Sequence, residues 1–123
     1  MSTLSKEEIL QGAGMFKTVE LEVSDLGGSV FIREVTAKEY DRIQSLCGRI
    51  GAGEHVKLFR AECCAYFLSD ADGKRLFGDN QFELLGRLNA APIDAIMQAG
   101  FKLNRLADSD IMEQEVKNSE TAQ

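Results

Sequence analysis

Gly27-Gly28-Ser29-Val30-Phe31-Ile32-Arg33-Glu34-Val35-Thr36-Ala37-Lys38-Glu39-Tyr40 joins a turn, a strand and a helix with no spacer. Gly27-Gly28 supplies the positive φ angles that a tight turn needs. Val30 to Val35 is rich in β-branched and aromatic side chains, which suit the pleated surface of a strand. Thr36-Ala37-Lys38-Glu39 has the form of a capping box: the Thr36 oxygen accepts from the Glu39 amide, and the Glu39 side chain reaches back to the Thr36 amide. The change from strand periodicity to helix periodicity is therefore written at Thr36. No residue in the stretch is an obvious catalyst.

Upstream, Thr18, Glu20 and Glu22 alternate with Val19, Leu21 and Val23, the pattern of a strand with one buried face. Ser24 to Gly28 then reads as a hairpin loop. Before it, Ser5-Lys6-Glu7-Glu8 is a second capping box, opening a helical turn or two from Lys6 to Gln11. Such a short helix is unstable alone, so it is expected to dock or fray. Gly12-Ala13-Gly14 ends it.

Downstream, Tyr40, Ile43, Cys47 and Ile50 form an apolar stripe on a helix from Ala37 to Ile50. Gly51-Ala52-Gly53 breaks it. Val56, Phe59, Cys63 and Tyr66 or Phe67 suggest a second helix from Glu54 to Leu68, packed antiparallel to the first on the hairpin. Ser69 to Lys74 is a turn marked by Asp72-Gly73. Arg75 to Phe77 reads as a short extended piece. Asn80-Gln81-Phe82-Glu83 resembles a third capping box, opening a helix to Arg87. Pro92 suits the first turn of a last helix, whose wide apolar face of Ile93, Ile96, Met97, Gly100, Phe101, Leu103 and Leu106 belongs against the core centre. The expectation is one α+β domain, an N-terminal β-hairpin with four to five helices packed on it. It spans residues 1–106, followed by an acidic, partly disordered tail over 107–123.

Length and charge narrow the function. The chain has 123 residues, enough for one domain with a real core. Its net charge is −6, and the tail alone holds −4 of this, with five acids against Lys117. That argues against phosphate-backbone binding, which needs clustered Lys and Arg. The N-terminus lacks the apolar core of a signal peptide, no run approaches a membrane span, and three cysteines give no disulfide framework. The cytoplasm is the expected compartment.

Each candidate for chemistry has a plainer reading. His55 is the only histidine; pairing it with Cys63 or Cys64 leaves a metal short of ligands. Cys47 and Cys63 fit as small buried residues. Gly48 to Gly53 lacks the Lys-Ser/Thr ending of a phosphate loop and follows a helix, not a strand. Asp70-Ala71-Asp72-Gly73 begins like a calcium loop, but Gln81 stands where a bidentate Glu is required. No enzyme, cofactor or metal site is expected.

Several pieces in order carry a likeness. They are Leu4 to Leu10, Val19 to Val23, Gly27 to Asp41, Asp70 to Phe77, Ala90-Ala91-Pro92-Ile93-Asp94, Leu103-Asn104-Arg105-Leu106, and the acidic stretch from Asp108 to Asn118. Through them the chain resembles the tail assembly chaperones of long-tailed phages and prophages over nearly its whole length. Two positions depart from the pattern. Arg105 stands where the family often has Gly, and the Cys63-Cys64 pair is not typical. The resemblance implies a non-catalytic protein that binds the tape-measure protein and helps recruit tail-tube subunits, with self-association possible. Some such proteins also exist in a longer form made by a ribosomal frameshift. The alternative is a structural tail or head–tail connector subunit that stays in the virion. For a tape-measure helix, the expected contacts are Ile111, Met112 and Val116 in the tail, with Phe101 and Leu106 extending the strip. The bland alternative for the last two is that they cap the domain's own core.

Overall fold

The hairpin centred on Gly27 forms as its sequence requires. The fold is that of a computed structural model, which describes residues 3–12 and 16–106. Strand β1 (Thr18–Val23) pairs antiparallel with β2 (Gly28–Arg33), with Thr18 opposite Arg33 and Val23 opposite Gly28. A single 3-10 turn, Ser24–Leu26, closes the loop, and Gly27 leaves it at φ 76°, in the left-handed region. The return strand starts two residues earlier than the β-branched run suggests, because Gly28 is extended and already paired. It ends at Arg33, two residues before Val35. Glu34 stays tied to the strand entrance: its N–H donates to the Lys17 carbonyl (2.9 Å), and its carboxylate accepts from the Lys17 N–H (2.8 Å).

A third strand, absent from the sequence reading, completes the sheet. β3 (Leu68–Ser69) pairs antiparallel with β2, giving the order β1-β2-β3. The turn after it is an Asx turn. Asp70 Oδ1 accepts from the N–H groups of Asp72 (2.9 Å) and Lys74 (3.0 Å), which brings Arg75 back to bridge Ser69. The expected extended piece at Arg75 is thus the far arm of a miniature hairpin.

Five helices are present among the described residues. α1 (Lys6–Gly12) has the expected capping box, with the Glu8 N–H donating to Ser5 Oγ (3.2 Å). α2 (Ala37–Gly51) starts at the Thr36 box: the Glu39 N–H donates to Thr36 Oγ1 (3.1 Å), and the Thr36 N–H donates to Glu39 Oε1 (2.9 Å). Leu46 joins Ile43 and Cys47 on its buried face.

α3 (Phe59–Phe67) differs most from expectation. It begins five residues later than Glu54, because Leu58 sits at φ 59° and the chain cannot be helical through it. Every residue from Ala61 to Phe67 is buried, so α3, not only the last helix, occupies the core centre. It packs mainly on α4 and α5 and less on α2, so the expected α2–α3 pair is not the main helix contact.

α4 (Phe82–Gly86) follows a 3-10 turn, Asp79–Gln81. Its cap lies two residues before Asn80: the Gly78 N–H donates to Gln81 Oε1 (2.7 Å). α5 (Ala90–Asn104) carries Pro92 in its first turn and ends with Arg105 at φ 54°, a position that favours Gly. Asn104 fixes that end to the hairpin–helix junction. Its amide donates to the carbonyls of Arg33 (3.2 Å) and Gly100 (2.9 Å), and its Oδ1 accepts from the Val35 N–H (2.9 Å).

Two substitutions test this packing. Thr36→Ala removes half of the α2 capping box and is expected to cost about 1 kcal/mol. Gly100→Ala would gain about 1 kcal/mol of helix propensity. Its Cβ, however, falls on the ring of Phe67, which is 0% exposed and has nowhere to move. Overpacking of that kind costs roughly 1–3 kcal/mol or more. Chemical denaturation should therefore rank Gly100→Ala as the less stable variant; an unchanged midpoint for it would refute the α3–α5 contact.

Candidate interaction surfaces and the buried charge cluster

The charged side chains with the tightest geometry lie between the hairpin end, α2 and α3. Arg33 ends β2 with a side chain only 4% exposed. Its Nη2 donates to both oxygens of Glu39 (2.6 and 2.8 Å), and its Nε donates to the Tyr66 carbonyl (2.9 Å). Burial pulls its pKa below the ordinary arginine value, with Glu39 opposing. Arg75 Nη1 reaches Glu39 (3.3 Å) and Asp79 (2.8 Å), its Nε donates to the Ala65 carbonyl (3.2 Å), and its guanidinium lies over the Tyr66 ring. The Tyr66 hydroxyl donates to Glu62 Oε2 (2.6 Å), which also accepts from Arg42 Nε (2.8 Å).

A hollow of about 370 Å³ opens beside this cluster, lined by Thr36, Lys38, Glu39, Arg42, Tyr66, Arg75 and Asp79. The cluster suits structure better than catalysis. Its carboxylates are engaged by arginines, and burial together with the Glu62 hydrogen bond pushes the Tyr66 hydroxyl up, so it stays protonated. What the arrangement does is hold three chain segments in register.

The other sequence candidates disperse. His55 is exposed in the connection between α2 and α3, while Cys63 and Cys64 are buried within α3. The described residues contain no group of three or more His, Cys, Asp or Glu that could hold a metal. Asp70 spends its carboxylate on backbone N–H groups in the Asx turn. Gly48 to Gly53 is the end of α2 and its exit. No helix among the described residues is long and apolar enough to cross a membrane.

The expected partner-binding residues fall in two places. The side chains of Phe101 and Leu106 are in the core, 5% and 2% exposed, with Phe101 edge-on to Phe67. They are covered in the folded chain, so they present no surface strip. Ile111, Met112 and Val116 lie outside the described residues.

Two apolar surface features were not foreseen as sites. The first is α1 with the two residues before it: Leu4, Ile9 and Leu10 are all exposed, and no residue of the helix is buried. The second is a groove of about 240 Å³ near the start of α5, lined by Val56, Leu58, Phe59, Leu85, Leu88 and Ile93, with His55 and Arg60 also at its wall. Gly86 keeps it shaped, since a Cβ there would meet Leu58 Cδ2 at 2.8 Å. The groove joins residues 55–61 to 85–93. The local sequence signal for it is Leu85 in α4 and Leu88 just beyond that helix, an apolar pair three residues apart.

The architecture belongs to a class with a structural precedent: a hairpin-based sheet with helices packed on it. No family model matches the sequence, and no curated protein does. Among solved structures, the tail assembly chaperone of bacteriophage HK97 has a similar fold, with a TM-score of 0.56 and 16% identity, over 88% of this chain and 91% of that one.

Burial of the thiols has a measurable consequence. Cys64 is pushed up to about 12 by burial and then by Asp94, and Cys63 is pushed higher still, mainly by burial. In the unfolded chain a thiol titrates near 8.5. Above that pH the unfolded state binds fewer protons than the folded one, so stability falls as pH rises, by up to about 1.4 kcal/mol per pH unit for each thiol. Urea midpoints should drop between pH 8 and pH 10, and Cys63→Ala and Cys64→Ala should each flatten that drop. Equal slopes in all three proteins would place the thiols in water.

Proposed function

We propose that this chain is a non-catalytic tail assembly chaperone of a long-tailed phage or prophage. It acts in the bacterial cytoplasm, binds the tape-measure protein and helps recruit tail-tube subunits around it. The observation that carries the reading is the correspondence of fold with the HK97 chaperone over nearly the full length of both chains. The ordered sequence pieces that resemble the family support it independently. The inward direction of the reactive groups agrees with it, since Cys63, Cys64, Tyr66 and Glu62 are buried in the fold and the described surface offers exposed apolar side chains.

In this reading residues 107–123 are a partner contact, with Ile111, Met112 and Val116 meeting a tape-measure helix. Deleting residues 108–123 should leave the melting temperature nearly unchanged and weaken co-purification with the tape-measure protein. Full-strength capture by the truncated chain would remove the tail from the contact, and loss of folding would assign it to the core. A connector subunit would be retained in finished particles. Mass spectrometry of purified virions should find this chain absent; a stoichiometric signal would favour the connector and overturn the chaperone reading.

A further inference from the structure

A hollow of about 500 Å³ lies at the end of α5, with Gly12, Phe16, Lys17, Glu34, Leu103 and Arg105 in its wall. Its charge is unlike that of the chain as a whole, which is −6. Lys17 and Arg105 stand against the single carboxylate of Glu34, which is already engaged by the Lys17 backbone N–H (2.8 Å). Lys102 adds a further cation in the last turn of α5. The ion pairs among the described residues use none of Lys17, Lys102 and Arg105. Arg105 is also held at φ 54°, in the left-handed region where Gly is the ordinary residue. The backbone thus carries strain at a position that puts an arginine in the wall of the hollow.

The chain itself supplies an occupant. Leu106 is buried and its N–H donates to the Phe101 carbonyl (2.9 Å), so the following residues leave the fold beside Arg105. Residues 107–123 carry Asp108, Asp110, Glu113, Glu115 and Glu120 against Lys117, a charge of −4. Asp110 is only four residues, at most about 14 Å of chain, beyond Leu106, so both aspartates can return to the hollow. α1 provides the apolar half. Its last residue, Gly12, shares the hollow with Arg105, and Ile9 is about 5 Å of helix further on. Leu4, Ile9 and Leu10 are each more than half exposed. Ile111 and Met112 follow the two aspartates directly. The charges of α1 itself, Lys6 against Glu7 and Glu8, offer an acidic segment no attraction, so the hollow supplies the attraction and α1 the burial. The groove at the start of α5 is a poorer seat. Ile93 lies about 20 Å from Leu106 along the helix at 1.5 Å per residue, and Arg60 at its wall is paired with Asp94 (3.6 Å).

We infer that residues 108–112 fold back on their own chain, with Asp108 and Asp110 in the hollow against Lys17 and Arg105, and Ile111 and Met112 on the Ile9–Leu10 side chains of α1. The contact is a cover that shelters apolar side chains of α1 and of the acidic segment at once. It lies outside the core, so it holds α1 locally and leaves the melting of the core unchanged. Ile111 and Met112 are also among the side chains assigned above to the tape-measure helix. A partner helix then has to lift the segment from α1 before it binds, and the free chain is held closed. That consequence rests on the tail-assembly reading; the fold-back contact does not.

The chain contains no tryptophan, so Met112→Trp in the full chain is a single reporter. Its emission should lie well to the blue of the same protein in urea and should not move on dilution. In that background, Lys17→Gln with Arg105→Gly should shift the emission to the red, toward the urea value. Ile9→Glu with Leu10→Glu should do the same. Circular dichroism should show every variant folded, since all four positions are exposed. Arg105→Gly also removes the left-handed strain, so that pair should melt no lower than its parent while it releases the segment. A merely structural role for Arg105 would not give release together with a retained melting temperature. Emission at the urea value in the full chain would overturn the inference. Blue emission that survives either pair of substitutions would take the segment off that surface and overturn it too. Blue emission lost on dilution would make the contact one between copies, with the same result. No partner is present in the experiment, so its failure leaves the tail-assembly reading standing.

Discussion

The Glu39 carboxylate is the joint on which the fold turns. One oxygen accepts from the Thr36 N–H and from Arg33, and the other accepts from Arg33 and Arg75. It thus caps α2, ties that helix to the end of β2 and captures the chain as it returns from the Asp70 turn. The side chain is 13% exposed and its main partner 4%. A buried ion pair of this kind adds little net stability relative to a well-packed apolar pair. Losing one partner costs far more, because the other charge is left buried without a counter-ion. We read the cluster as a device for register: it lets the hairpin and the helices meet in one arrangement only.

Asn104 acts on the same junction from the opposite side. Arg33 offers its side chain to Glu39 and its carbonyl to Asn104, so a single residue connects α2 and α5 to the sheet. Apolar burial drives the layers together. Burial is not directional, however, and these few polar contacts set the angle at which the layers meet. The Leu-Asn pair at the end of α5 gains a physical meaning from this. Leu103 packs against the core, and Asn104 satisfies backbone groups that the ends of a strand and a helix would otherwise leave open.

The parts of the fold that were legible are those specified by residues close together in the chain. The capping boxes at Ser5 and Thr36, the Gly27 turn and the stripe of α2 are all local signals, and all appear in the structure; the alternation of β1 holds at Leu21 and Val23, whereas Val19, at the open end of the edge strand, is exposed. The misses are non-local. β3 is two residues long and exists because Ile32 and Phe31 face Leu68 and Ser69, a pairing with no local signature. α3 is buried all round and therefore has no stripe to mark where it starts. Val56 continued the apolar spacing by coincidence across a segment whose backbone is broken at Leu58. The groove was illegible for the same reason, since its walls come from segments about thirty residues apart in sequence. The Arg33–Glu39 pair was half visible: its acid was read as a cap, but nothing in the sequence said that an arginine would share it.

A fold held this way can tolerate wide sequence change. Apolar positions accept substitution provided volume and pattern are kept, and the polar constraint is confined to a few residues around the hairpin–helix junction. Similarity of fold to the HK97 chaperone at 16% identity is understandable on those terms. The same reasoning explains why the surface, not the core, must hold the particular function of this chain. The core side chains spend their chemistry on one another, so a partner meets only what they leave outside. Among the described residues that is an unburied helix at one end of α5 and an apolar groove at the other.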